Sequence, residues 1–128
     1  FLWFIIKPLH RKGKLIMFTL HEDEKAYRHG DHGPKYLMMG PTSNFGIVKL
    51  LPGNVVSPHY HKIMEENFYI LKGTVSMTVN DVESTYSAGD FIHLEPGEIH
   101  RLENKGTETV RFVVTTSPWM DHADKIEV

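Results

Sequence analysis

The stretch GNVVSPHYHKIMEENFYILKG (53–73) decides how this chain is read. Two histidines, His59 and His61, stand one residue apart, and Glu66 follows after four more residues. Side chains on a strand alternate between faces, so positions i and i+2 point the same way. His59 and His61 therefore project together, with Tyr60 on the opposite face. In the apolar run that follows, Glu66, Phe68 and Ile70 share one face, which carries the carboxylate into an apolar interior. A buried carboxylate is costly unless it is paired or bound to a cation. A cation beside two imidazoles removes that cost. A third histidine, His100, lies in GDFIHLEPGEIHRLEN (89–104), where Glu98, His100 and Leu102 share a face. These four side chains can make one metal site.

Working outward, short apolar or alternating runs predict strands near 35–39, 46–51, 54–61, 66–72, 74–80, 82–86, 91–94, 98–103 and 108–116. Turn residues separate them: Gly40-Pro41, Pro52-Gly53, Gly73, Asn80-Asp81, Gly89-Asp90, Pro96-Gly97 and Lys105-Gly106. Many short strands at this spacing indicate an all-β sandwich or barrel. The segment HEDEKAYRHG (21–30) is expected as a short helix or an irregular arm, and DHADKIEV (121–128) as a short terminal helix. Residues 1–16 form an N-terminal extension, read as a leader, an appended sequence or an edge strand that pairs with a partner subunit; residues 17–128 are read as one domain.

Composition narrows the function classes. The chain has 128 residues, enough for one core. Hydrophobic residues make up 41% and charged residues 23%, which suits a globular protein rather than a disordered one. A formal charge of −2 without long like-charge runs gives no footprint for nucleic acid. The six apolar residues FLWFII fall far short of the roughly 20 that span a bilayer, so no membrane is expected either. With no cysteine, a transition-metal site must use histidine and carboxylate. A cytoplasmic location and a homodimer are expected.

These residues resemble the cupin superfamily of small double-stranded β-helix barrels, also described as jelly rolls. The first cupin motif is Gly, five residues, His-x-His, three or four residues, Glu, six residues, Gly. Gly53, His59, His61, Glu66 and Gly73 occupy its fixed positions. The second is Gly, five residues, Pro-x-Gly, two residues, His, three residues, Asn. Gly89, Gly97, His100 and Asn104 fall in place, whereas Glu95 stands at the usual proline position and Pro96 follows it. The resemblance covers about residues 30–118. It implies that His59, His61, Glu66 and His100 are the ligands of one divalent transition metal: Mn, Fe, Co, Ni, Cu or Zn. It further implies that Gly53, Gly73, Gly89, Gly97 and Asn104 are turn residues. The count of six residues to Gly73 selects Glu66 over its neighbour Glu65.

Strand parity outlines a pocket around the metal: Val55, Ser57, Phe68, Ile70, Met77, Leu102, Phe112 and Val114. No Lys or Arg falls on an inward position, though Lys35, Lys49 or Lys62 could reach in from loops. Trp119 and Met120 are expected to anchor the C-terminal tail, His93 to be an ordinary partly buried histidine, and Arg101 and Arg111 to serve the surface. The expected function is a metal-dependent enzyme acting on a small oxygenated molecule, of dioxygenase, decarboxylase, lyase or isomerase type. The catalytic group is unknown beyond the metal. The second reading is a non-enzymatic cupin that binds a metal or small ligand, and a sugar-phosphate isomerase ranks behind it.

Overall fold

Ten strands and two single turns of 3₁₀ helix account for the regular structure of the computed structural model, which describes residues 17–120 and 122–128. The expectations for residues 1–16 lie outside the described residues. The strands are β1 (Gly33–Met39), β2 (Asn44–Leu50), β3 (Val55–His61), β4 (Glu65–Lys72) and β5 (Thr74–Val79). They continue as β6 (Val82–Ser87), β7 (Phe91–Leu94), β8 (His100–Glu103), β9 (Val110–Ser117) and β10 (Lys125–Glu127). They form two antiparallel five-stranded sheets, β1-β2-β9-β4-β7 and β10-β3-β8-β5-β6. Sequence neighbours β3 and β4 lie in different sheets, so His59 and His61 come from one sheet and Glu66 from the other. That alternation closes the metal motif across the interior.

Alternation drives this packing. Strand β9 is buried at every second residue, with Val110, Phe112 and Val114 almost fully enclosed. Their opposite numbers Ile70, Val75, Met77 and Leu102 complete the core, in which Phe68 and Phe112 meet edge to face with ring centroids 5.3 Å apart. Asn80 and Asp81 turn the β5–β6 hairpin with φ of 48° and 71°, the left-handed pair that a two-residue hairpin requires. Gly73 has φ +82°, and a Cβ there would stand 2.7 Å from the Thr109 carbonyl oxygen, so no larger residue fits. Asn104, wholly buried, donates through its amide to the carbonyls of Leu50 and Glu108 and accepts from the Gly106 amide, which ties three loops together.

Both ends differ from the sequence reading. The arm at 21–30 holds only one 3₁₀ turn, Glu22–Glu24, capped by His21, and an isolated bridge between Tyr27 and Gly30. The C-terminal helix is replaced by a 3₁₀ turn, His122–Asp124, and the strand β10. Seven apolar or amphipathic side chains cannot announce this outcome: the free edge of β3 offers unpaired backbone groups, and β10 satisfies them. Arg111 also differs, being half-buried and held by Glu22 and Tyr27 beneath the arm rather than free at the surface.

Candidate metal centre

Four strands meet at His59, His61, Glu66 and His100, and all four side chains are buried. His59 and His61 leave β3 on one face, Glu66 stands near the start of β4, and His100 opens β8 directly opposite His59. One ligating atom from each lies within 4.8 Å of every other. Gly97, in the turn before β8, donates its amide to the His61 carbonyl at 2.7 Å and so clips the second motif onto the first.

Hydrogen bonds set the direction of each ring. Nδ1 of His59 donates to the Ser57 carbonyl at 2.8 Å, and Nδ1 of His100 donates to the Glu98 carbonyl at 2.9 Å. Nδ1 of His61 donates to the Asp124 carbonyl at 3.0 Å. A carbonyl only accepts, so each neutral ring carries its proton on Nδ1 and turns the Nε2 lone pair inward. Glu66 Oε1 stands 3.1 Å from His100 Nε2 and 3.4 Å from His61 Nε2. Those approaches lack hydrogen-bond alignment: all three atoms are buried and without a hydrogen-bond partner. Buried polar atoms are seldom left so. Lone pairs from several residues that face one point fit a shared cation, and the N/N/N/O donor set suits a divalent transition metal.

The electrostatics agree with that geometry. Burial pushes His59 down to about 4, which keeps it neutral and ready to ligate. Burial alone would also lower His61, yet the Glu66 carboxylate beside it outweighs burial and raises it. Burial would raise Glu66, but the His100 and His61 rings hold it down to about 2.

A cavity of about 400 Å³ opens onto these ligand atoms. Phe68, Leu102, Phe112 and Val114 line it, as parity implies. Ile70 and Met77 do not; they lie fully buried in the core away from it. Val55 and Ser57 are corrections: both are exposed, and Val56 faces the cavity instead. The cause is a bulge in β3. Val56 pairs with Leu102 and His59 with His100, three steps on β3 against two on β8. The extra residue reverses parity upstream of His59. Lys35, Lys49 and Lys62 do not reach the cavity; Lys35 is buried against the arm, where its Nζ donates to the Glu22 carbonyl.

Several lining residues escaped the sequence reading. Trp119 and Met120 border the cavity rather than only anchoring the tail. Two cations line it as well, Arg28 from the arm and Lys125 from β10. Arg28 hydrogen-bonds the Tyr36 hydroxyl, whose pKa is raised mainly by burial. Both cations come from terminal segments without strand periodicity, so no parity signal could place them. Away from the cavity, Glu65, His93 and Glu95 form a second cluster, with Asn67 also bonded to His93. All four residues sit on the outer side of the sheet, opposite Glu66 and Phe68.

Comparisons with known proteins agree with this architecture. The profile of the cupin domain matches residues 46–116. The tetracenomycin polyketide synthase protein TcmJ of Streptomyces glaucescens is 33% identical over 81 residues, 62% of this chain and 54% of TcmJ. An oxalate-binding protein of Thermotoga maritima is 35% identical over 69 residues, 54% of this chain and 57% of that protein. The chain thus spans little more than half the length of these curated relatives. Among solved structures, the polyketide cyclase RemF of Streptomyces resistomycificus superposes with TM-score 0.75 at 18% identity, covering 88% of this chain and 86% of RemF. A double-stranded β-helix protein of Klebsiella pneumoniae superposes with TM-score 0.74 at 20% identity, covering 88% and 98%. The matched profile spans β2 through β9 and both halves of the histidine–glutamate cluster, and by it this chain belongs to the cupin family.

Proposed function

We propose that the protein is a metal-dependent cupin enzyme acting on a small oxygenated molecule with an apolar body. The observation that carries this reading is the convergence of three orphaned buried atoms, His61 Nε2, His100 Nε2 and Glu66 Oε1, at the end of an apolar cavity. A bound metal would supply Lewis acidity, or oxygen activation if it is redox-active. The chain's own residues do the rest. Phe68, Leu102 and Phe112 exclude water and hold an apolar body. Arg28 and Lys125 favour a substrate with an acidic or electron-rich oxygen group. The hydroxyl of Tyr36, kept protonated, can donate a hydrogen bond to such a group. A quercetin 2,3-dioxygenase of Bacillus subtilis is 33% identical over 64 residues, which supports oxygenase-type chemistry as one class to test. The oxalate-binding protein supports the second reading, a cupin that holds a small ligand without turning it over.

Elemental analysis tests the proposal, with protein purified without a metal-affinity step beside a His59→Ala/His61→Ala control. About one equivalent of metal, lost in the control, is expected. Turnover of a panel of phenolic and dicarboxylic acids by the loaded protein then separates enzyme from binder. No metal uptake on reconstitution rejects both readings of the centre. Uptake with binding but no turnover selects the binder.

A further inference from the structure

We infer that the C-terminal segment is a strap that completes the metal centre, with Asp124 as its positioning residue. The inference rests on His59, His61, Glu66 and His100 being the ligands. Asp124 is only 4% exposed and lies beyond the matched residues 46–116. Its main-chain carbonyl receives the Nδ1 proton of His61 at 3.0 Å. Its carboxylate accepts the backbone amides of Lys62 at 3.0 Å, Ile63 at 3.1 and 3.2 Å, and Met64 at 2.9 Å. Those three residues are the loop between His61 at the end of β3 and β4, which carries Glu66. One residue therefore holds a ligand's ring and also the loop that sets the spacing between two ligands.

A carboxylate suits that place. Successive amides that converge in a loop make a concavity for an anion, and a charged acceptor bonds them more strongly than a neutral one. The rest of the strap acts on the same strand. Lys125 pairs with His61, Ile126 with Tyr60 and Glu127 with His59, and the Val128 amide donates to the Pro58 carbonyl at 3.2 Å. β10 thus braces β3 along its bulge and both ligand positions. His59 and His100 take their ring partners from carbonyls two residues upstream, whereas His61 depends on a residue 63 positions away. Docking of the strap and binding of the metal are then reciprocally linked: each strengthens the other.

Full-length Asp124→Ala and Ile126→Pro variants test this by zinc titration against a competing chromophoric chelator. Both are expected to raise the zinc Kd by about 10–100-fold, the scale of outer-shell changes, while surface His93→Ala leaves it unchanged. In ¹⁵N-imidazole spectra of the zinc-loaded variants, the His61 Nδ1 proton should lose protection from exchange while those of His59 and His100 keep theirs. A general loss of stability would not single out His61. In the wild-type protein, which needs no variant to fold, zinc should slow amide exchange at Lys62–Met64 and Val128 and not in β6. Unchanged Kd with an unchanged His61 signal, or exchange at Lys62–Met64 indifferent to zinc, overturns the strap. Failure of the wild-type protein to take up zinc overturns the metal reading as well, so the two failures are distinguishable.

Discussion

At the scale of single residues, the centre is a contest between protons and a cation. His61 holds its proton above the ordinary histidine range because Glu66 sits beside it, and a metal must displace that proton. Metal binding near neutral pH should therefore release a proton, and affinity should fall as pH drops through about 6 to 5. Calorimetry in buffers of different ionisation enthalpy reads the proton directly. The signs for the metal-free protein follow from the same shifts. Glu66 at about 2 contributes stability above the unfolded carboxylate value of 4.5, which is lost as pH falls toward 2. His61, raised, contributes stability below the unfolded histidine value of 6.5 that is lost as pH rises through its folded value. His59, lowered to about 4, opposes folding increasingly as pH falls from 6.5 toward 4. Glu66→Gln removes the charge that holds the His61 proton. Burial then dominates, so the His61 pKa should drop below its wild-type value in an NMR titration of the metal-free protein.

At the scale of elements, the bulge in β3 decides what the cavity presents. It turns Ser57 outward, where its carbonyl orients His59, and turns Val56 inward against Leu102. Two substitutions tell this arrangement from simple alternation. Ser57→Val should change stability by no more than about 0.5 kcal/mol, because the side chain is exposed. Phe112→Ala, on a side chain 1% exposed that packs on Phe68, should cost about 3–5 kcal/mol. Urea denaturation of the metal-free proteins reads both, and a large loss at Ser57 would mean that β3 runs without its bulge.

At the scale of the whole molecule, the centre joins the two sheets, since β3 and β8 belong to one and β4 to the other. A metal there binds the folded state and not the separated strands. At a free metal concentration 100 times Kd, the folded state gains about 2.7 kcal/mol. For a domain of this size that raises Tm by roughly 10 °C. Scanning calorimetry with and without a chelator checks it, and equal Tm values would count against a centre that spans the sheets. The homodimer proposed from the apolar run FLWFII is a separate matter. Light scattering at high micromolar concentration should give twice the 14.8 kDa chain mass, and a single-chain mass rejects it.

The sequence by itself determined the nine strands from β1 to β9 to within a few residues, because apolar alternation and left-handed turn residues are local signals. It also determined which four side chains meet, since the spacing of His59, His61, Glu66 and His100 fixes their faces on regular strands. Only the tertiary structure decided the rest. Whether Ser57 or Val56 faces the cavity depends on the register between β3 and β8, which a bulge shifts by one residue. Arg28, Lys125, Trp119 and Met120 reach the cavity from segments with no period to read. Asp124 acts across 63 residues through its backbone and its carboxylate, and a long-range bond of that kind leaves no local trace in the chain.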